Sequence, residues 1–300
     1  MDNLTHSLVG ALLGQAGLKK KTGLAMPALI IGANLPDVDA ACFFWLDGQE
    51  HLGFRRGITH GPPALVLLPL ILAGLLWGFD RWQTKRGKRP ADRLPVNFKW
   101  LFALSFLGCL THPALDWLNV YGIRFLEPFS SQWFYGDTLF IIDIWLWLLM
   151  GFATWFSLRR EKRGQNWIKP ARIAIGISLA YIGMNWVGTT YRELTSPRQP
   201  AIASPMPLIP WEREIIEAQL PGTWLIDGVK VGECELDPAF AGAIGNSEAE
   251  AFVFWTRAPF AERAEDGSVI LRDARFYDPA ARDRFSIALP NVECVDLPVP

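Results

Sequence analysis

Residues 98–118 read F-K-W-L-F-A-L-S-F-L-G-C-L-T-H-P-A-L-D-W-L, an apolar run that ends in a histidine and an aspartate. About 20 apolar residues are enough for an α-helix to cross the hydrocarbon core of a bilayer. His112 and Asp116 are four residues apart, so they share one face of such a helix. Ionisable side chains in an apolar helix are costly and therefore indicate a functional site. This segment predicts a membrane helix that carries part of a polar site.

The remaining apolar runs predict a polytopic helical membrane protein with about six segments, one of them broken. The clear spans are Pro62 to Phe79, Phe98 to Leu118, Leu139 to Leu158 and Ala171 to Thr190, and two less regular ones precede them at Leu4 to Leu18 and Leu24 to Leu46. The first of these has glycines at positions 10, 14 and 17, which favour close helix packing. The second contains Pro36, which disfavours helix at the preceding residue. Membranes tolerate such a break only where protein or a wet cavity surrounds it.

Composition divides the chain into two parts. Half of the residues are apolar and the net charge is −1, but the long apolar runs all lie before residue 192. We predict a helical transmembrane domain at 1–192, a proline-rich linker at 193–210 and a small extracytoplasmic β-rich domain at 211–300. In the last, T-W-L-I-D-G-V-K-V predicts a hairpin with Asp227-Gly228 as its turn. Further strands are predicted at 251–256, 268–276 and 285–289, so the fold class is mainly α with a β-rich extramembrane domain.

Basic residues predict the sidedness of the protein. They concentrate in three alternate loops, at 19–21, 81–99 and 159–172. The positive-inside rule makes these loops cytoplasmic and places both termini outside. Cys234 and Cys294 can pair only if the C-terminal region faces an oxidising compartment.

The predicted metal site consists of histidines and acids at the outer ends of the segments. Three of the four histidines follow a threonine, and three imidazoles with at least three carboxylates suit Zn²⁺, Mn²⁺ or Fe, with a second ion allowed. The predicted ligands are His6, Asp37, Asp39, His60, His112 and Asp116, and Asp137 is a further candidate. One acid, Asp39 or Asp143, is predicted to act as general base, although spacing does not choose between them.

Each of these groups also has a purely structural interpretation. His112 and Asp116 could satisfy each other as a buried hydrogen-bonded pair. Asp37 and Asp39 could cap the helix break, and His60 could cap the helix that begins at Pro62. The metal prediction therefore depends on the whole set rather than on one residue.

Basic and polar side chains near the same loops are candidates for substrate binding. Arg55 and Arg56 precede His60 and could hold an anionic group by paired hydrogen bonds, or they could anchor the loop to lipid headgroups. Asn119 and Arg124 follow Asp116 and are predicted to lie at the rim of the site.

Five motifs resemble a known family. They are M-D-N-L-T-H-S-L-V-G, N-L-P-D-V-D, R-G-I-T-H-G, T-H-P-A-L-D-W-L-N-V-Y-G and G-D-T-L-F-I-I-D, spread over about residues 1–145. Together they resemble the YdjM-type membrane-bound metal-dependent hydrolases of the bacterial inner membrane, also described as LexA-binding hydrolases. The resemblance implies a multi-span fold and a hydrolytic metal centre at the six ligands above, with Asp137 and Asp143 as further candidates. It does not cover the C-terminal region and implies no substrate.

The function predicted from these observations is hydrolysis, by a divalent metal, of a phosphoester or ester in a lipid or lipid-linked substrate at the outer leaflet. One alternative is a transporter or ion-coupled carrier, which should show a repeated half and carboxylates near the midplane; the sequence shows no such repeat. Another is a non-catalytic scaffold or regulator whose metal is structural and whose C-terminal domain binds a partner protein. Direct readout of nucleic acid is not predicted, because topology explains the basic loops.

Overall fold

The computed structural model describes residues 1–278 and 282–297. They form two compact units. The first comprises Met1–Val38, Arg56–Trp186 and Pro207–Pro210, and the second comprises Asp39–Arg55, Val187–Met206 and Trp211–Pro300. The α-helices are α1 (Asn3–Gln15), α2 (Ala25–Gly32), α3 (Glu50–Phe54), α4 (Pro62–Lys85), α5 (Phe98–Trp117), α6 (Ile144–Lys162), α7 (Ile168–Thr195), α8 (Leu236–Ala243) and α9 (Ser247–Trp255).

Three helices, α4, α5 and α7, are long and apolar enough to cross a membrane. A fourth span results if α2 is counted together with the 3-10 segment Leu35–Phe44, which is bent by 52° relative to it. This bend coincides with the break predicted at Pro36. The predicted total of about six spans is not confirmed. α1 has 13 residues and rises only about 20 Å, against a hydrocarbon core of about 30 Å, and the last four residues of α6 are charged.

Glycines let α1, α2 and α5 approach one another at the level of the backbone. A Cβ atom built on Gly10 of α1 would lie 2.7 Å from the carbonyl oxygen of Leu29, and one built on Gly108 of α5 would lie 2.6 Å from the same atom. On α2, a Cβ at Gly32 would lie 2.7 Å from the carbonyl oxygen of Ser105. Small residues of this kind are typical of interfaces between membrane helices. α2 is therefore held tightly between α1 and α5.

α1 and α6 run side by side in the same direction. Near their starts, Trp147 Nε1 donates a hydrogen bond of 2.9 Å to Thr5 Oγ1. Near their ends, Ser157 Oγ donates one of 3.0 Å to Gln15 Oε1. The histidine at position 6 therefore lies at the same end of the first unit as the start of α6.

Basic side chains collect at the other end of this unit. Lys19 forms an ion pair with Glu161, and its ammonium group lies 4.3 Å from the ring centre of Trp167. Lys21 lies 5.0 Å from the ring centre of Trp100. Lys19, Arg93 and Glu161, one from each of the three basic loops, line one pocket at this end of the unit, here called the basic end.

The second unit contains two antiparallel sheets. The strands are β1 (Ala201–Pro205), β2 (Arg213–Leu220), β3 (Thr223–Ile226), β4 (Val229–Val231), β5 (Pro259–Arg263), β6 (Ser268–Asp273) and β7 (Ser286–Glu293), in the orders β1-β2-β3-β4 and β5-β6-β7. The predicted hairpin is confirmed, because Ile226 pairs with Val229 across a turn in which Asp227 and Gly228 have φ angles of 47° and 85°. Positive φ at both positions is the condition for a type I′ turn. β1 lies inside the stretch predicted as a linker.

The strand predicted at 251–256 is wrong, because these residues lie in α9 or cap its end. The side chain of Asn246 accepts hydrogen bonds from two backbone amides of the first turn, which is the usual N-cap arrangement. Ala249, Phe252 and Trp255 are fully buried at a spacing of three residues. The run F-V-F-W has a high β propensity, but its buried residues recur at the spacing of a helix. It therefore forms a helix with one buried face.

A disulfide and a buried ion pair lie in the interior of the second unit. Cys234 and Cys294, which are 60 positions apart in sequence, form the disulfide. Both side chains of the pair Asp273–Arg275 are inaccessible to solvent. Burial raises the pKa of Asp273, but the charge of Arg275 and the hydrogen bonds that the carboxylate accepts outweigh burial and lower the pKa to about 2. The aspartate is therefore ionised at neutral pH.

We expect Gly108→Ala to lower the thermal midpoint of the detergent-solubilised protein. The added methyl group would meet backbone atoms of α2, which a side-chain rotation cannot relieve, and overpacking of this kind costs about 1–3 kcal/mol. The matched control is Gly151→Ala in α6, where a Cβ has no neighbour within 4 Å in the described residues, so its midpoint should stay the same or rise. Equal midpoints for the two variants would disprove the close contact between α2 and α5.

Candidate metal centre

Five side chains from separate parts of the first unit converge opposite the basic end. His6 lies on α1, Asp37 follows α2, His60 precedes α4, and His112 and Asp116 lie on α5. One ligand atom from each member of the set His6, Asp37 and His112 lies within 4.8 Å of the others, and the same is true of His60, His112 and Asp116. We call these five residues the metal cluster.

The separations inside the cluster suit a shared cation. Asp116 Oδ1 lies 3.3 Å from His6 Nε2, and Asp116 Oδ2 lies 3.5 Å from Nε2 of both His60 and His112. His112 Nε2 is also 3.7 Å from Asp37 Oδ1. Two ligands that are each about 2.0–2.1 Å from a tetrahedral zinc lie about 3.4 Å from one another. The observed spacing therefore needs little adjustment to hold an ion.

A backbone carbonyl orients His112. Its Nδ1 lies 2.7 Å from the carbonyl oxygen of Ala33, at the end of α2. A carbonyl only accepts hydrogen bonds, so Nδ1 carries the proton and Nε2 presents its lone pair to the cluster. This arrangement is typical of metal-binding histidines, whose second nitrogen is fixed by an outer hydrogen bond.

His112 can bind only one ion. Its Nδ1 is engaged by Ala33, and Nε2, which has a single lone pair, belongs to both groups of ligands. A second ion would have to share a carboxylate, such as that of Asp116, rather than this imidazole. The geometry thus supports one ion bound by several of the five side chains, or two ions bridged by an acid.

Burial makes a cation the expected partner of Asp116. Its side chain is 1% exposed, and a buried carboxylate is costly unless positive charge compensates it. The Met1 amino group contacts Oδ1, and Arg56 Nε lies 3.2 Å from Oδ2. Within the described chain, both ring nitrogens of His6 and Nε2 of His112 are buried without a hydrogen bond of normal geometry. These nitrogen and oxygen donors fit a divalent transition metal.

Comparison with known proteins places this chain in a family. The family described as YdjM inner membrane protein matches residues 1–191. The chain belongs to the YdjM family. No curated protein and no solved structure matches it. The YdjM match confirms the resemblance seen in the five motifs, and it includes all five residues of the metal cluster but not residues 192–300.

Arg56 is the predicted substrate-binding residue that this YdjM protein brings to the metal cluster. Besides its contact with Asp116, its Nη1 donates a hydrogen bond of 2.9 Å to Asn119 Oδ1. Its guanidinium lies 4.5 Å from the ring centre of Tyr121. The φ angle of Arg56 is 55°, a conformation that costs a non-glycine residue about 1–3 kcal/mol and often marks a functional site. Asn119 is therefore a residue that positions this arginine.

The remaining predicted residues of the first unit have other contacts. Asp143 caps α6 by accepting a hydrogen bond from Leu146 N at 2.9 Å, and it accepts another from Tyr181 at 2.8 Å. Asp137 is buried in the loop before α6 with a φ angle of 46°. Arg124 lies 3.1 Å from Glu127. Neither group of metal-ligand atoms found in the described residues includes these side chains.

Asp39 and Arg55 belong to the second unit. Arg55 Nε lies 3.4 Å from Asp39 Oδ1, and the guanidinium lies 5.6 Å from the ring centre of Phe43. Of the two adjacent arginines, only Arg56 belongs to the unit that contains the metal cluster.

Sequence reasoning missed the groups that orient the histidines. The Ala33 carbonyl lies just before the break at Pro36. The last carbonyls of a helix have no partner within the helix. The predicted break therefore indicated that a free carbonyl acceptor would be present there. Thr59 Oγ1 lies 3.0 Å from His60 Nδ1, and the repeated Thr-His pairs were a signal for that contact. The threonines of the other two Thr-His pairs bond elsewhere. Thr111 donates a hydrogen bond to the carbonyl of Gly108, and Thr5 donates one to the side chain of Asp2.

We expect His112→Ala to abolish metal binding by the purified full-length protein. The change removes the one ligand that both groups of donors share, so metal affinity should fall at least about 100-fold. Metal content is measured by mass spectrometry of metals after dialysis against trace Zn²⁺ or Mn²⁺. The matched control is His51→Ala, because His51 lies outside the cluster and bonds to the Gly48 carbonyl at 2.9 Å. A His112→Ala protein that retains wild-type metal content would contradict the assigned site.

Proposed function

We propose that this YdjM family member is a membrane-embedded metal-dependent hydrolase that cleaves a phosphoester or ester of a lipid or lipid-linked substrate. The observation that supports it is the buried cluster of three imidazoles and two carboxylates beside Arg56. His6, Asp37, His60, His112 and Asp116 would hold Zn²⁺ or Mn²⁺, as one ion or two. Such an ion lowers the pKa of a bound water and polarises the oxygen under attack.

Charge balance favours a phosphoester over a neutral ester. Asp37 and Asp116 contribute two negative charges, Arg56 contributes one positive charge, and the Met1 amino group that contacts Asp116 adds another when it is protonated. One divalent ion would therefore leave the site with a net charge of about +1 to +2, and two ions would leave it at about +3 to +4. A buried site with net positive charge is compensated by an anionic ligand. The planar guanidinium of Arg56 suits the paired oxygens of a phosphate group.

Asp39 and Asp143 remain the proposed general bases. Asp143 already accepts hydrogen bonds from Leu146 and Tyr181, which would hold the carboxylate in place. Asp39 pairs with Arg55, which would hold its carboxylate in place. A general base contributes about 10²–10⁴-fold to rate, so Asp39→Asn or Asp143→Asn should lose that factor while metal content stays unchanged. If neither variant slows hydrolysis by more than about tenfold, both assignments fail.

The position of the cluster supports a lipid substrate. The cluster lies opposite the basic end of the first unit, and basic loops of membrane proteins are cytoplasmic as a rule. The disulfide Cys234–Cys294 lies in the second unit, and such bonds persist in oxidising compartments. Both observations support an outer-leaflet site and an extracytoplasmic C-terminal domain. A pocket at that depth would meet the headgroups of lipids.

We expect the purified protein, loaded with Mn²⁺ or Zn²⁺, to hydrolyse a phosphoester bond of lipids presented in mixed micelles. A lipid phosphate would release inorganic phosphate, and a phospholipid would give an alcohol and a phosphomonoester. Arg56→Gln should lower kcat/KM by about 10²–10³-fold, because it removes a charged donor from the reacting group, while metal content is retained. The matched control is Arg86→Gln, which should leave kcat/KM unchanged, because Arg86 follows the end of α4 in the second basic loop and contacts the ring of Trp82. Metal binding without hydrolysis of any micellar substrate would instead favour a structural metal in a scaffold protein.

Alkaline phosphatase and green fluorescent protein, each fused to the C-terminus after Pro300, should report the sidedness. We expect phosphatase activity without fluorescence, because the phosphatase folds only in an oxidising compartment. Fusions at residue 88, in the second basic loop, should give the opposite result and serve as the control. A fluorescent, phosphatase-negative C-terminal fusion would invert the topology and move the metal cluster to the inner leaflet.

A further inference from the structure

A groove between α6 and α7 lies away from the metal cluster. It has a volume of about 430 Å³, and its walls are apolar and aromatic. Phe152, Phe156 and Ala153 line it from α6, and Ile173 and Ile177 line it from α7. Phe152, Ile173 and Ile177 are each at least 50% exposed. A large apolar surface of this kind on a membrane helix is solvated by lipid chains rather than by water.

Two cationic side chains stand at one end of this groove. Arg160 lies at the end of α6, and Lys169 lies in the first turn of α7. Arg160 Nε donates a hydrogen bond of 2.7 Å to the carbonyl of Asn166, and its guanidinium lies 5.7 Å from the ring centre of Phe156. No acid of the residues that the structure describes forms an ion pair with Arg160 or Lys169. The N-terminus of α7 adds partial positive charge at the same place.

The groove mouth belongs to the basic end of the first unit. Trp167, directly before α7, contacts the ammonium of Lys19, and Lys19 pairs with Glu161 beside Arg160. Asp143 caps the opposite end of α6, about 25 Å from Arg160 at 1.5 Å per residue. The groove and the metal cluster therefore face opposite leaflets if the helices span the membrane.

We propose that this groove binds an anionic phospholipid, with its phosphate between Arg160 and Lys169 and an acyl chain along Phe152 and Ile177. The positive charge of Arg160 and Lys169 at the end of the groove favours an anionic lipid, because basic pockets between membrane helices bind acidic headgroups. A zwitterionic lipid offers the same chains but no net charge. The site is independent of the proposed hydrolysis, since it shares no residue with the metal cluster.

Native mass spectrometry of the full-length protein, titrated with phosphatidylglycerol or phosphatidylcholine of the same chains, tests the proposal. Each basic residue near an acidic headgroup contributes about 1 kcal/mol, so phosphatidylglycerol should bind about 30-fold more tightly than phosphatidylcholine. The double variant Arg160→Gln, Lys169→Gln should lose this preference. The control Arg159→Gln, Lys162→Gln removes the same charge from outside the groove and should keep it. Equal lipid preference in the two double variants would overturn the proposal.

Two further measurements separate a lipid site from a simple anion site. Ile173→Trp fills the groove while leaving both cations in place, and it should weaken phosphatidylglycerol binding at least tenfold. Wild-type affinity in that variant would show that no acyl chain lies in the groove. Inorganic phosphate at 100-fold excess should leave the bound lipid in place; displacement by phosphate would show a free anion site and overturn the proposal.

Discussion

The first unit is organised around a buried carboxylate. Asp116 is almost inaccessible to solvent, and three imidazoles and a guanidinium lie within 3.5 Å of its oxygens. In apolar surroundings an isolated carboxylate is strongly unfavourable, so the fold must supply positive charge at this point. Arg56 and the Met1 amino group supply part of it, and the imidazole lone pairs provide ligands for a metal ion that would supply the rest. The cost of burying Asp116 thus explains why so many polar groups collect at one end of an apolar bundle.

Close packing of three helices makes this convergence geometrically possible. Gly10, Gly32 and Gly108 have no side chains, and a Cβ atom at any of the three would collide with the backbone of a neighbouring helix and hold α1, α2 and α5 apart. The resulting contact places the Ala33 carbonyl on His112 and stacks the rings of His6 and His112 with centroids 3.8 Å apart. The break after α2 then serves two purposes, since it provides the acceptor that orients His112 and carries Asp37 to the cluster. Packing and chemistry depend on the same short stretch of chain.

The two ends of the first unit have different chemistry. One end holds buried acids, imidazoles and a single buried arginine, and the other holds lysines, arginines and tryptophans. Such an asymmetry is typical of membrane proteins, in which basic residues concentrate on one side of the bilayer. The two antiparallel sheets and the disulfide of the second unit lie outside the YdjM match, whereas its segment Asp39–Arg55 lies inside the match.

The sequence by itself determined the family, the apolar character of the helices, the break at Pro36 and the hairpin at Asp227-Gly228, because each depends on local composition or turn chemistry. It also named all five residues of the metal cluster, since ionisable groups in apolar runs are few. Only the tertiary structure separated these from Asp143, which caps α6, and from Asp39, which pairs with Arg55. Local sequence does not record which distant side chain lies within 4 Å of a carboxylate. For the same reason only the tertiary structure decided that residues 251–255 are helical, because Phe252 and Trp255 bury one face of α9.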